Sequence, residues 1–161
     1  DEFEQLAVEN GYVVEKIPQN KESFQKYLKA LGLNKENFEY IKRGDFIVRN
    51  LANLEVEVKC FSAIKDEKGE RSYIIKYREL KGLEAMMKHT KTSICLAIFE
   101  RVGRTFVPHS LGMISLKDIL NKRNGVVYEK RIKSMKIPES ALLDGFFLFE
   151  DFREHISKDN L

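Results

Sequence analysis

The sequence predicts an α/β domain in which a mixed central sheet is flanked by helices. Three observations predict it. Residues 54–60 alternate strictly: Leu54, Val56, Val58 and Cys60 are apolar, while Glu55, Glu57 and Lys59 are charged. That is the period of a strand with two unlike faces. Residues 93–99 form an apolar run of strand length, as in a central strand covered on both faces. Between them Ile74, Tyr77, Leu80, Leu83 and Met87 recur at helical spacing. Strand, helix and strand in that order pack naturally as a sheet with helices against it.

The remaining elements follow in chain order. Phe3, Leu6 and Ala7 mark a short first helix ended at Asn10-Gly11. Residues 12–17 read as a strand stopped by Pro18. Two helical patterns follow in a charged insertion at about 20–43: Phe24, Leu28 and Leu31 closed by Gly32, then Phe38 and Ile41 closed by Gly44, with Asn34 as a candidate cap. Asp45 opens a strand over 45–50, and the alternating strand covers 54–61. A charged, glycine-containing loop spans 65–71. After the long helix and the apolar strand, Val102-Gly103 turns the chain towards Thr105–Val107. Ser115 caps a helix to about Leu120, Asn124-Gly125 is a turn, and 126–128 is a short strand. Phe149, Phe152 and Ile156 mark a closing helix. No internal repeat, low-complexity tract or linker divides the chain, so 1–161 reads as one domain.

Composition narrows the function classes. Apolar residues make up 43% of the chain, which argues against disorder. Charged residues reach 33% with both signs mixed, for a net charge of +3. Such a balance permits a polyanionic partner only where positive charge is clustered. No apolar stretch reaches the length of a membrane span, and no signal peptide is visible. Cys60 and Cys95 read as buried free thiols, bridged only if their strands are neighbours, which fits a reduced, cytoplasmic setting. The chain begins at Asp1 rather than at a methionine, as a trimmed piece of a longer protein would.

Chemistry concentrates at one constellation. Three acid-x-Lys tripeptides occur: Glu57-Val58-Lys59, Asp66-Glu67-Lys68 and Glu79-Leu80-Lys81. The second lies in the charged loop. The third lies in the long helix, where positions i and i+2 diverge. Only the first lies on a strand, where they share a face. Asp45 stands twelve positions before Glu57, on the preceding strand. Two carboxylates for a hard divalent cation and a lysine beside an attacking water are what metal-assisted hydrolysis requires. The competing reading is a solvated strand face carrying a Glu–Lys pair. Glu55 shares the face and reads as a surface or supporting residue.

Asp45, Glu57 and Lys59 resemble the Asp…Glu-x-Lys signature of the restriction-endonuclease-like, PD-(D/E)XK nuclease superfamily. Gly44-Asp45 stands where that family often has Pro-Asp. The family order of helix, strand, Asp strand, Glu-x-Lys strand, helix and strand matches this chain up to about Phe99, with 20–43 as an insertion. The chain's length and the run from Leu80 to Phe99 are closer to the archaeal Holliday-junction resolvases than to the larger type II restriction enzymes. The resemblance implies a restriction-endonuclease-like fold and a Mg²⁺-dependent endonuclease (Mn²⁺ as an alternate) acting on DNA, with RNA not excluded, in restriction, repair or recombination. Asp45 would ligate the metal, with Glu57 and the Val58 carbonyl as further ligands. Lys59 would orient the water and stabilise charge on the phosphate. A carboxylate from the first helix, Glu4, is the candidate additional ligand. A homodimer would cut both strands of a duplex. The alternative is a non-catalytic nucleic-acid-binding or scaffold domain on the same fold.

Phosphate contacts need basic residues nearby. Lys122, Arg123, Lys130, Arg131, Lys133 and Lys136 cluster with Tyr128 interleaved, opposed only by Glu129. Lys76, read as early in the long helix, is a further candidate. Other chemistries lack support: His89, His109 and His155 are scattered, and no glycine-rich phosphate loop or Gly-x-Ser-x-Gly elbow exists. The Met86-Met87 pair and Phe146, Phe147 and Phe149 read as core.

Overall fold

A computed structural model of the chain describes residues 2–20, 22, 25, 26, 29, 42–49, 51, 54–107 and 109–152. The two helices expected in the 20–43 insertion lie largely outside the described residues; of the closing helix expected from Phe149, Phe152 and Ile156, residues 147–152 are described and helical, and Ile156 lies outside the described residues.

The chain opens with helix α1 (Glu2–Glu9) and strands β1 (Val14–Lys16), β2 (Phe46–Val48) and β3 (Leu54–Phe61). Two short strands, β4 (Ile64–Lys65) and β5 (Arg71–Lys76), lead into helix α2 (Tyr77–Thr90). Strands β6 (Ser93–Val102), β7 (Thr105–Phe106) and β8 (Gly112–Ser115) follow, then helix α3 (Leu116–Leu120). Strands β9 (Val127–Glu129), β10 (Ser134–Pro138) and β11 (Leu143–Asp144) complete the described sheet elements.

Among the described residues the central sheet runs β1-β2-β3-β6-β8-β11, with β7 paired to β6. Neighbours are antiparallel except β3 and β6, which are parallel over Leu54↔Ser93 to Phe61↔Glu100. Parallel neighbours need a crossover, and here β4, β5 and α2 supply it. The sheet is therefore mixed, as expected.

β6 explains the architecture. Its even residues Ile94, Leu96 and Ile98 pack into one core with Leu80, Leu83 and Met86 of α2 and Leu116 and Ile119 of α3. Its odd residues Cys95, Ala97 and Phe99 pack into a second core with Phe3 and Ala7 of α1, Phe46, Val56 and Phe149. A strand buried on both faces must be apolar at every position, which is why 94–99 carries no charge.

Several expectations need correction. The helix predicted from Ile74 begins at Tyr77, because Ile74 and Ile75 belong to β5. The loop expected over 65–71 is present at 66–70, but it closes a β4–β5 hairpin, part of a second antiparallel sheet in the order β4-β5-β10-β9. Strands β8 and β10 were not anticipated. Phe149 is core, but Phe147 is 66% exposed. Cys95 is buried and Cys60 exposed, and both are free. Their strands are neighbours, but Cys60 faces Phe99 and Cys95 faces Val56, so the register keeps them apart. The predicted Ser115 cap is present: its hydroxyl accepts the Asp118 N–H at 3.1 Å. No helix among the described residues is long and apolar enough to cross a membrane.

Candidate active site

The alternation of β3 sends Leu54, Val56 and Val58 towards the α1 side of the sheet. Glu55, Glu57 and Lys59 therefore point to the other side, where α2 packs. That face is not open to solvent: Glu55 and Glu57 are each 1% exposed. The solvated-strand reading fails on this point, since a buried carboxylate persists only if it is paired or hydrogen-bonded.

Glu55 supports the chain before Asp45. Its carboxylate accepts the Gly44 N–H at 3.1 Å and an Arg43 Nη2 proton at 3.2 Å. The approach is close: a Cβ on Gly44 would meet the Val56 carbonyl oxygen at 3.0 Å. Glu55 is thus a buried anchor rather than a surface residue. Glu55→Ala would remove the acceptor of the buried Gly44 N–H and one acceptor of the Arg43 guanidinium, and cost about 2–4 kcal/mol. Urea denaturation measures this; a loss below about 0.5 kcal/mol would show that Glu55 does not hold the segment.

Asp45 lies where β2 approaches β3. Its N–H donates to the Val56 carbonyl at 2.8 Å. Its carboxylate Oδ2 accepts the Val58 N–H at 2.8 Å. Asp45 is therefore fixed to the backbone on both sides of Glu57.

Glu57 and Lys59 meet directly, with Lys59 Nζ 2.7 Å from Glu57 Oε1. Two partners were not anticipated. Lys42 Nζ also bonds Glu57 Oε1, and it bonds Glu79 Oε1 of α2 at 2.6 Å. Lys59 Nζ bonds Glu79 Oε1 as well. The four side chains form a closed ring of alternating charge, Lys42–Glu57–Lys59–Glu79. The other Glu57 oxygen, Oε2, is buried with no hydrogen-bond partner among the described residues.

Titration behaviour follows from the ring. For Glu79, burial is the largest single influence and opposes ionisation. Hydrogen bonds from Lys42 and Lys59, with their charges, together outweigh it and hold the carboxyl below its ordinary value. For Lys42, burial is again the largest influence and lowers the ammonium's value, Lys59 adds like-charge repulsion, and Glu79 only partly offsets both. Because the folded Glu79 value is depressed, the unfolded chain binds the extra proton as pH falls. Its stabilisation is complete above the ordinary carboxylate value of 4.5 and is lost as pH drops through the lower folded value. The stability gap between wild type and Glu79→Gln should therefore narrow between about pH 7 and about pH 3 in urea unfolding. A gap independent of pH would contradict the ring.

Sequence spacing predicted Glu57 and Lys59 together, and the structure joins them and ties Asp45 to the adjacent backbone. Glu79 was set aside as a helical acid-x-Lys match; the tripeptide itself has no role, but its acid reaches the site from the first turn of α2. Lys42 carried no sequence signal, because it precedes the strand, at the end of the charged insertion. Glu4 lies half-buried on α1, and no ion pair or hydrogen bond among the described residues joins it to Asp45 or Glu57. No group of three or more His, Cys, Asp or Glu side chains among the described residues could by itself hold a metal ion.

The residues present still fit a hard divalent cation. Asp45, Glu57 and the Val58 carbonyl offer only oxygen donors, and Glu57 Oε2 is a buried acceptor lacking a partner. Mg²⁺ commonly takes one or two protein carboxylates and completes its shell with water and substrate.

The basic residues divide into two groups. Lys130 and Arg131 lie in one 3₁₀ turn and Lys133 follows it with φ 49°. The Lys133 carbonyl accepts the Tyr77 N–H at 3.0 Å, which joins this turn to the start of α2. Lys76 ends β5 opposite Ser134, beside the same turn, rather than lying in the helix. The exposed rings of Tyr77 and Tyr128 stand edge to face there, 5.2 Å apart. Lys122 and Arg123 lie in the turn before β9, at its opposite end, and Arg123 pairs with Asp118 at 3.2 Å. The first group therefore borders the helix turn that carries Glu79.

A large groove of about 1360 Å³ lies elsewhere, lined in part by Tyr73, Glu100, Glu139, Asp144, Phe146 and Glu150. It contains none of Asp45, Glu57 or Lys59, and its acidic lining would repel a polyanion.

No family model matches the chain, and no curated protein does either. Among solved structures, the chain is similar to Archaeoglobus fulgidus Hjc, a Holliday junction resolvase from an archaeal hyperthermophile. The identity is 13%, the TM-score 0.50, and 88% of each chain is covered. It is also similar to a nuclease from a fusselovirus, at 17% identity and a TM-score of 0.48, over 99% of this chain and 88% of that one. At such identities the likeness is one of fold, and the chain has the restriction-endonuclease-like fold.

Proposed function

We propose that the chain is a divalent-metal-dependent nuclease that hydrolyses phosphodiester bonds, with DNA as its substrate. One observation carries the reading. A buried Glu57 with an unpartnered oxygen touches Lys59, and Asp45 is hydrogen-bonded to the backbone between them. A buried charge with an unsatisfied atom is costly and calls for an explanation.

In this reading Asp45 and Glu57 hold Mg²⁺, or Mn²⁺, with the Val58 carbonyl. The bound cation would supply Lewis acidity towards a phosphoryl oxygen and a lower pKa for water. Asp45 is kept in place by its two backbone contacts. Glu55 fixes the Gly44 backbone before it. Lys59 is positioned by two carboxylates to orient water and to stabilise charge on the phosphate. The Archaeoglobus protein's action on Holliday junctions fits a DNA substrate but does not by itself define one for this chain.

The basic turn at Lys130, Arg131 and Lys133, with Lys76, is the proposed phosphate-contact surface. Its residues are exposed and border the start of α2. Substituting all four by Ala should weaken DNA binding and lower the slope of log affinity against log salt by about 2–4. An unchanged slope in fluorescence anisotropy would remove this surface from the account. A homodimer would place two sites on a duplex, and sedimentation in the presence of DNA tests it.

The reading itself is tested by nicking of supercoiled plasmid. Cleavage should require Mg²⁺ or Mn²⁺ and stop with EDTA. Full cleavage by both Asp45→Ala and Lys59→Ala would remove the proposal and leave the non-catalytic binding domain as the better account.

A further inference from the structure

The Lys42 ammonium bonds Glu57 Oε1 and Glu79 Oε1 together, so it bridges a β3 carboxylate and an α2 carboxylate. Two carboxylates held around one cation is also how an oxygen-rich site holds a divalent ion. We propose that Lys42 is a tethered counter-ion that competes with the divalent cation and sets the metal concentration at which the site fills. This rests on the reading of Asp45 and Glu57 as metal ligands.

Formal charge supports the competition. Asp45, Glu57 and Glu79 contribute three negative charges, and Lys42 and Lys59 two positive ones, which leaves −1. A dication entering that set would leave +1. With Lys42 withdrawn the set carries −2, which a dication neutralises. Ions of like sign sharing a poorly solvated site repel strongly, so Lys42 and the metal exclude one another.

The geometry identifies Lys42, not Lys59, as the group that leaves. Lys59 is anchored within β3 and its side chain is 17% exposed, whereas that of Lys42 is 35% exposed. The Lys42 backbone is held by its N–H to the Gly82 carbonyl at 3.1 Å. Its long side chain can therefore swing to solvent without moving the chain that leads to Asp45. Once it leaves, Glu57 Oε1 keeps Lys59 as its partner, and the unpartnered Oε2 is open to a cation with one ammonium fewer beside the carboxylate.

Calorimetric titration with Mn²⁺ on wild type, Lys42→Met, Lys42→Gln and Glu57→Gln tests this, with circular dichroism to confirm folding. Both Lys42 variants should bind Mn²⁺ roughly tenfold or more tightly than wild type, and half-maximal plasmid nicking should need correspondingly less Mg²⁺. Lys42→Arg, which restores the charge, should return the wild-type threshold. If Glu57→Gln abolishes Mn²⁺ binding while the folded Lys42 variants bind no more tightly than wild type, the counter-ion role is wrong and the metal site stands. If wild type, the folded Lys42 variants and Glu57→Gln all bind Mn²⁺ equally poorly, the metal site itself falls, and this proposal with it.

Discussion

Asp45→Asn should lower Mg²⁺-dependent plasmid nicking by about 10²-fold or more, with little change in stability. The amide keeps the shape of the carboxylate, and its carbonyl oxygen can still accept the Val58 N–H that Asp45 Oδ2 accepts at 2.8 Å. What it loses is the negative charge that a hard cation requires. Function and fold thereby separate: thermal unfolding should stay near wild type while activity falls. Glu57→Gln should lose activity at least as severely, but not cleanly. It removes one corner of the four-membered ring and leaves Lys42 and Lys59 sharing only Glu79, so some stability is lost as well. If Asp45→Asn cleaves at the wild-type rate, Asp45 is a structural acceptor and no more.

Lys59→Met should reduce kcat by about 10²–10³-fold, the range found when one preorganised donor is removed from a transition state. The methionine stem preserves the packing of β3 against α2, while the two bonds to Glu57 and Glu79 disappear. Mn²⁺ affinity should hold or rise, since a positive charge leaves the cluster. This split distinguishes Lys59 from Asp45, whose loss should weaken metal binding and turnover together. Lys59→Arg keeps the charge between the carboxylates but should not restore the rate, because the longer planar guanidinium puts its donors elsewhere than the compact ammonium that orients the water. A rate within about twofold of wild type for Lys59→Met would place Lys59 outside the chemistry.

What the sequence revealed here depended on period. Strict alternation over 54–60 located β3 and put Glu57 and Lys59 on one face without any tertiary information. The apolar run at 93–99 located the central strand for the same reason. The β4–β5 hairpin escaped because Ile74 fits the helical spacing of the following segment, so strand and helix signals merged across Lys76. The surroundings of the site were less legible still. Alternation alone cannot tell a solvated polar face from one covered by a helix, and Glu55 and Glu57 prove to be covered. Glu79 arrives from α2 through the crossover between β3 and β6, a contact set by packing rather than spacing. Lys42 joins through a hydrogen bond to that same helix.

A crystal grown with Mn²⁺, with diffraction measured at the manganese absorption edge, tests the central claim most directly. An anomalous peak is expected within about 2.0–2.6 Å of carboxylate oxygens from both Asp45 and Glu57, with the Lys42 side chain withdrawn from Glu57. Manganese bound only elsewhere, with the ring of Lys42, Glu57, Lys59 and Glu79 intact in a protein that still nicks plasmid, would contradict it.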